Sequence, residues 1–214
     1  MEKGDYHEPV MVREVIKALH LKKGGLYIDA TVGTGGHALE IVKKGGRVLG
    51  IDMDPMMLEI AKMRLEKAGR PFKLVSGNFK DIDEIVKKEK VDEVDGILID
   101  LGVSNVHFDT KERGFSFSNP EAPLDMRLNP DSQGVTAAEE ALPKAFALLN
   151  KGGKLVILSF HSKEEKIIKD FFFSEERENK AKILTKTAIT PRDEEIAKNV
   201  KARSAKLWIL EKSF

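Results

Sequence analysis

The sequence predicts an α/β fold in which a mostly parallel sheet is flanked by helices. Short β-like runs alternate along the chain with longer amphipathic runs, which is the pattern of strands joined by crossover helices. Two of the short runs, 94–100 and 155–158, are almost entirely apolar, as in strands buried on both faces of a sheet. The length of 214 residues suits one domain, so we expect residues 1–214 to form a single domain.

Each element is predicted from its local pattern. Seven short runs rich in aliphatic and β-branched residues predict strands at 26–30, 47–52, 72–77, 96–101, 154–160, 181–187 and 205–211. Six amphipathic runs predict helices at about 8–20, 36–44, 55–69, 80–90, 136–150 and 162–173. Helix 55–69 has the clearest ends, because Pro55 stands just inside its start and Gly69 at its end. Residues 104–134 contain three prolines and no clear period, and a loop of that length in a compact domain is usually functional.

The composition is that of a globular protein with almost no net charge. The chain has 36 lysines and arginines against 35 aspartates and glutamates, which leaves a formal net charge of +1. This balance argues against strong attraction to nucleic acid over the whole surface, but it leaves a local basic patch open. The absence of cysteine excludes disulfides, thiolate nucleophiles and cysteine-ligated metal sites. The longest uncharged stretch, 30–39, is too short to span a bilayer, and the N-terminal residues lack the apolar run of a signal peptide, so we expect a cytoplasmic location.

A glycine-rich loop follows the first predicted strand and opens the next helix. In order, this stretch contains Asp29, Gly33, Gly35, Gly36 and His37. Glycine lets a backbone turn tightly and approach a ligand closely, although many such loops are only tight turns. Asp52 ends the second strand, nineteen residues after Gly33, where an acidic residue binds ribose hydroxyls in nucleotide-binding folds. The glycine spacing disfavours a nicotinamide-dependent dehydrogenase and is similar to motif I of class I S-adenosylmethionine (AdoMet) methyltransferases.

The third and fourth strands are also followed by residues that fit a nucleotide site. Phe79 comes just after the third strand, where it either stacks on an adenine or packs in the core, and the sequence leaves both roles open. Asp100 ends the fourth strand, at the carboxyl edge of the sheet, where ligands bind in open α/β folds. We therefore expect Asp100 to be functional.

Eight segments together are more specific than any single motif. They are 7–11 (HEPVM), 35–37 (GGH), 52–55 (DMDP), 100–104 (DLGVS), 112–117 (ERGFSF), 123–127 (PLDMR), 159–162 (SFHS) and 202–207 (ARSAKL). In this order they resemble the MraW/RsmH family, the bacterial 16S ribosomal RNA (cytosine-N4)-methyltransferases, over nearly the whole chain. The resemblance implies a Rossmann-like class I methyltransferase with a seven-stranded, mostly parallel sheet and AdoMet as its cofactor.

The resemblance also implies which residues contact AdoMet. By position they are Gly35, Gly36, His37, Asp52, Phe79, Asp100 and His107, and Gly33 belongs to the same glycine loop. His107 departs from the family, which usually has glutamine there. Because an imidazole can replace an amide as a hydrogen-bond partner, we expect AdoMet binding to persist.

The sequence departs from the family most clearly near residues 139–143. The family normally inserts a sizeable helical domain there, which is implicated in substrate recognition, whereas this chain runs straight on to the fifth strand. Two functions are compatible with the missing insert. The protein either methylates a cytosine of small-subunit ribosomal RNA at N4, or it is an AdoMet-binding core of the family without efficient RNA methylation.

Three residues are candidates for the catalytic group. Cytosine N4 is a poor nucleophile, because its lone pair is delocalised into the ring, so a side chain must orient the amine and accept its proton. Asp100 is the leading candidate, and its alternative role is to orient the cofactor. Asp125 is the second, unless it only pairs with Arg127 within the loop. His161 follows the fifth strand, and its alternative role is to cap helix 162–173.

The candidates for RNA binding are Arg113, Phe115, Arg127 and Arg203. Unpaired bases stack on aromatic and guanidinium planes, which suits Arg113 and Phe115, although Phe115 equally fits a residue that anchors the loop to the core. Arg127 suits a phosphate or carboxylate partner. Arg203 lies in a basic segment with Lys198, Lys201 and Lys206, which either follows phosphates or is simply solvated. The expected partner is ribosomal RNA in the small ribosomal subunit, with no metal and no membrane.

Overall fold

The computed structural model describes residues 8–102 and 137–214, and within them seven strands form one sheet. The strands are β1 (Leu26–Asp29), β2 (Arg47–Asp52), β3 (Phe72–Ser76), β4 (Val94–Asp100), β5 (Leu149–Ser159), β6 (Ala181–Ile183) and β7 (Lys206–Lys212). Their order across the sheet is β3-β2-β1-β4-β5-β7-β6. The neighbours from β3 to β5 pair in parallel, whereas β7 is antiparallel to both β5 and β6. The predicted α/β class and the seven-stranded, mostly parallel sheet are confirmed.

Helices cover both faces of the sheet. They are α1 (Val12–Leu19), α2 (Gly36–Lys43), α3 (Pro55–Glu66), α4 (Ile82–Lys88), α5 (Ala137–Ala147), α6 (Ser162–Arg177) and α7 (Asp193–Lys198), with 3-10 turns at Phe79–Asp81 and Val200–Ser204. No helix in the described part of the chain is long and apolar enough to cross a membrane.

Alternate residues of the central strands point into two separate cores. Ile97 and Ile99 of β4 lie in one buried cluster with residues of α4, α5 and α6. Leu98, between them, lies in the other cluster with residues of α1, α2 and α3. This is why the central strands read as continuous apolar runs: both of their faces are buried.

The structure corrects the predicted elements where long-range pairing decides a boundary. The predicted helix 136–150 ends at Ala147, because Leu149 pairs with Val94 and so begins β5. The predicted strand 181–187 is shorter and ends at Ile183. The sequence reasoning missed α7 and the 3-10 turn that follows it, both of which lie in the connection between β6 and β7.

Candidate functional site

Three aspartates lie at the carboxyl edge of the sheet. Asp29, Asp52 and Asp100 are the last residues of β1, β2 and β4, which are neighbouring strands. The direction of the strand order reverses between β1 and β4, and open α/β sheets bind ligands in the crevice at such a point. The predicted site residues Asp52 and Asp100 therefore lie at one edge, together with Asp29.

The Asp29 carboxylate is buried and poorly hydrogen-bonded. It is 1% exposed, and within the part of the chain that the structure describes neither of its oxygens has a hydrogen bond of normal geometry. Burial raises the pKa of Asp29 from 3.8 to about 6; His37 opposes this rise, and the charges of Asp100 and Asp52 add to it. An uncompensated buried carboxylate costs free energy, so this position favours a cationic ligand group. Sequence reasoning did not count Asp29 as a binding residue, although its place four residues before Gly33 was a usable signal.

The three loop glycines serve different purposes. A Cβ on Gly35 would lie 3.1 Å from the backbone of Ala61, and one on Gly36 would lie 2.7 Å from the ring of Pro9. These two glycines are therefore required by packing within the protein. Gly33 has a φ of +50°, and among the residues that the structure describes a Cβ there would meet no atom nearer than 3.9 Å. Of the three, Gly33 is the position where the loop backbone is open to a ligand.

Asp52 ties the glycine loop to the end of β2. Its Oδ2 accepts a hydrogen bond of 2.8 Å from the N–H of Gly33, and its Oδ1 accepts one of 2.9 Å from the N–H of Asp54. Asp52 thus fixes the glycine loop at the carboxyl end of β2, with its carboxylate at the sheet edge.

Asp100 and His37 face one another across the site. The N–H of Asp100 donates to the Thr31 hydroxyl at 2.7 Å, and its Oδ1 accepts from the N–H of Gly102 at 2.9 Å. Its Oδ2 lies 4.0 Å from Nδ1 of His37. The His37 ring is 5% exposed, and its Nε2 lies 2.8 Å from the carbonyl oxygen of Val10. Because a carbonyl only accepts, Nε2 carries the proton of that bond, which leaves Nδ1 directed at Asp100.

The other predicted residues in the described part of the chain lie around this edge or beyond it. Phe79 opens the 3-10 turn after β3, where it is half-buried against the core. His161 is exposed at the N-cap of α6, which agrees with its alternative role as a helix cap. The N–H groups of Phe160 and His161 both donate to the Glu164 carboxylate, at 2.8 and 3.1 Å.

The cations of the basic segment differ in exposure. Lys198, Lys201 and Arg203 are exposed in α7 and the following 3-10 turn. Lys206 is half-buried and forms an ion pair of 2.6 Å with Glu165. The predicted residues His107, Arg113, Phe115, Asp125 and Arg127 lie outside the described residues, so their roles stay predictions.

Comparisons with known proteins identify the family. The model of the MraW methylase family matches residues 5–140 and 135–213. A protein named ribosomal RNA small subunit methyltransferase H, from Carboxydothermus hydrogenoformans, is 30% identical over an alignment 304 positions long, gaps included, which covers 96% of this chain and 97% of that protein. The protein of the same name from Dictyoglomus turgidum is 32% identical over an alignment 289 positions long, which covers 96% of this chain and 97% of that protein.

Solved structures agree on the fold. An rRNA methylase from Streptococcus thermophilus superimposes with a TM-score of 0.61 at 16% identity, covering 95% of this chain and 94% of that one. A methyltransferase from Streptococcus mutans, in complex with S-adenosylhomocysteine (SAH), gives a TM-score of 0.63 at 16% identity, covering 96% and 99% of the two chains. The class I methyltransferase fold and the family resemblance of the sequence are both confirmed. Because the family match spans nearly the whole chain, this protein belongs to the MraW methylase family of methyltransferases.

Proposed function

We propose that the protein transfers the methyl group of AdoMet to N4 of a cytosine in small-subunit ribosomal RNA. The observation that carries the proposal is the set of three strand-end aspartates beside the open backbone of Gly33. The names of its relatives, ribosomal RNA small subunit methyltransferase H, support the substrate class.

The residues at the sheet edge fit AdoMet in charge and in hydrogen bonding. When bound, AdoMet supplies an electrophilic methyl group on a sulfonium, and it also carries an ammonium group and a ribose diol. Asp52 is suited to accept from the ribose hydroxyls. The buried carboxylate of Asp29, which has no hydrogen bond of normal geometry to any described residue, suits the cationic part. The same group of carboxylates disfavours a nicotinamide dinucleotide, because its pyrophosphate would bring negative charge to an acidic edge.

Asp100 is the proposed proton acceptor for the N4 amine. The Gly102 N–H and the Thr31 hydroxyl hold the residue in place, which fixes the direction of its carboxylate. With AdoMet bound, Oδ2 would accept an N4 hydrogen and orient the amine, and it would take the proton as the methyl group passes from the sulfur to N4 and leaves SAH. Asp125 stays the second candidate. His161 is the third: Leu158 pairs with Asp100 across the sheet, so His161 follows β5 at the same edge.

The exposed cations of the connection between β6 and β7 are the proposed phosphate contacts. Arg203 is exposed beside Lys198 and Lys201, and such cations gain affinity for RNA by releasing counterions. Arg113, Phe115 and Arg127 are proposed to hold the target nucleotide by stacking and ion pairing.

We also propose that the chain is one domain without the family's helical insert. Two features of the comparisons support this proposal. The family match falls into two parts that overlap at 135–140. The alignment with one relative is 304 positions long, whereas this chain has 214 residues, so the relative has residues without a counterpart here. The competing function is an AdoMet-binding core that no longer methylates RNA efficiently, since part of the usual RNA-binding surface would be missing.

Two measurements test the proposal. Calorimetric titrations with AdoMet and with NADH test the cofactor, and micromolar NADH binding without AdoMet binding would overturn it. Asp100→Asn tests the proton acceptor, because it keeps the side-chain shape but removes the charge. We expect turnover to fall far more than AdoMet affinity. Equal losses in both would make Asp100 a cofactor ligand only.

A further inference from the structure

The residues just before α1 lie against the glycine loop. We call residues 8–11 the N-terminal segment. Its Pro9 ring packs on Gly36, at the start of α2, where a Cβ would lie within 3 Å of three ring atoms. Its Val10 carbonyl oxygen is the hydrogen-bond partner of the His37 ring. The position of this segment therefore decides where the His37 ring lies relative to Asp100.

Residues in the connection between β6 and β7 also bind the N-terminal segment and the start of α1. The Glu195 carboxylate of α7 accepts a hydrogen bond of 2.6 Å from the N–H of Met11, 184 residues away in sequence. The Asn199 side chain donates to the carbonyl oxygen of Glu8 at 3.4 Å. Arg192 forms an ion pair of 3.3 Å with Glu14 of α1. The hydrogen bond from the Met11 N–H to Glu195 is the shortest of these contacts, and Met11 directly follows Val10.

Met11 has a backbone conformation that needs such support. Its φ is 53° and its ψ is 35°, the left-handed region that residues other than glycine rarely adopt, and it is 0% exposed. Its N–H precedes α1, so it has no partner within that helix. A short, charge-assisted bond to a carboxylate satisfies this buried donor and offsets the unfavourable conformation.

We propose that Glu195 is a positioning residue for the methyl-transfer site. The Glu195 carboxylate fixes Met11, the fixed backbone places the Val10 carbonyl, and that carbonyl keeps the proton on Nε2 of His37. Nδ1 of His37 is then held facing Asp100. The proposal rests on the proposed function in one respect, that the site formed by Asp100 and the glycine loop binds AdoMet and its product SAH.

Removing the carboxylate should loosen this series of contacts without removing any group that lines the site. Glu195→Ala leaves the buried Met11 N–H without an acceptor, so the N-terminal segment relaxes and His37 loses its fixed partner. Coupling through contacts of this kind is modest, and we expect SAH affinity to fall about tenfold. Glu195→Gln keeps a side-chain oxygen at the same position, so it should restore most of the affinity. Glu194, exposed on the same helix, provides the matched control Glu194→Ala.

The test is calorimetric titration of the full chain and these three variants with SAH, together with ¹⁵N NMR of the His37 ring. We expect the Nε2-protonated ring in the wild type, in Glu195→Gln and in Glu194→Ala, and an averaged signal in Glu195→Ala. A purely structural role would lower the melting temperature without changing this ring signal. SAH affinity within twofold of the wild type in Glu195→Ala, or an equal loss in Glu195→Gln, would overturn the proposal.

Two outcomes require a different measurement or variant. If the wild type binds no SAH, the proposed function fails, and the His37 ring signal of the variants alone decides whether Glu195 positions that ring. If Glu195→Ala does not fold, Glu195→Asp replaces it, because the shorter side chain draws the carboxylate back from Met11. An unchanged His37 signal and unchanged SAH affinity in Glu195→Asp would then overturn the proposal.

Discussion

Replacing Asp29 with asparagine should change how the stability of the protein depends on pH. The folded pKa of Asp29 is about 6, against an ordinary value of 3.8. The protonated carboxyl therefore stabilises the fold fully below pH 3.8, and this contribution is lost as the pH rises through about 6. A pKa difference of one unit between the folded and unfolded states corresponds to about 1.4 kcal/mol, so the full change in the free energy of unfolding is about 3 kcal/mol. Between about pH 8 and about pH 5, the wild type should gain roughly 1 kcal/mol of stability relative to Asp29→Asn.

Urea unfolding of the ligand-free protein at several pH values measures this difference directly. The chain has one tryptophan, Trp208, which is buried and whose fluorescence reports unfolding. Asp92 is exposed, so Asp92→Asn serves as the control and should follow the wild type at every pH. A difference between wild type and Asp29→Asn that stays constant from about pH 5 to about pH 8 would refute the reasoning, because it would mean that Asp29 does not titrate in this window.

Three further predictions concern the loop, the core and the RNA surface. Gly36→Ala should destabilise the protein by about 1–3 kcal/mol in thermal melts, because its Cβ meets a proline ring. Gly33→Ala would place a Cβ with no described atom nearer than 3.9 Å on a backbone whose φ is +50°, and it should lose more SAH affinity than Gly36→Ala. The reverse order would contradict the assignment of Gly33 to the ligand. Ser159→Ala should cost about 1–3 kcal/mol in urea unfolding, because the buried indole N–H donates to its hydroxyl at 3.1 Å; no loss would mean that this bond is not formed. Arg203→Glu should lower methyl transfer to small ribosomal subunits and weaken the salt dependence of that reaction, while SAH binding is unchanged. The control is Arg70→Glu, because Arg70 is exposed just before β3, at the opposite edge of the sheet. Equal losses of methyl transfer in the two variants would contradict a local role for Arg203.

The sequence predicted the elements and residues whose signals are local. The strand ending at Asp100 was identifiable because both of its faces are buried, so its residues form an unbroken apolar run. The place of Asp52 and Asp100 at one edge followed from the parallel arrangement alone. The start of α3 followed from Pro55, and in the structure the carboxylate of Asp54, just before it, accepts the N–H of Met56.

The features that the sequence did not predict depend on contacts between distant parts of the chain. Its neighbours in sequence place Leu149 near the end of a predicted helix, but in the fold it pairs with Val94 and belongs to β5. The burial of Asp29 results from the elements packed around it, not from its neighbours in sequence. Glu195 lies in a six-residue helix of mostly charged residues, and nothing near it in sequence indicates that it binds Met11.

Methyl transfer from isotope-labelled AdoMet to small ribosomal subunits that lack the modification tests the proposed function most directly. Mass mapping of the digested ribosomal RNA identifies the nucleotide and the atom that receive the label. The account predicts incorporation at N4 of a cytosine, with a marked loss of rate in Asp100→Asn. No incorporation at high enzyme concentration, despite AdoMet binding, would contradict it and would favour a cofactor-binding core without RNA methylation.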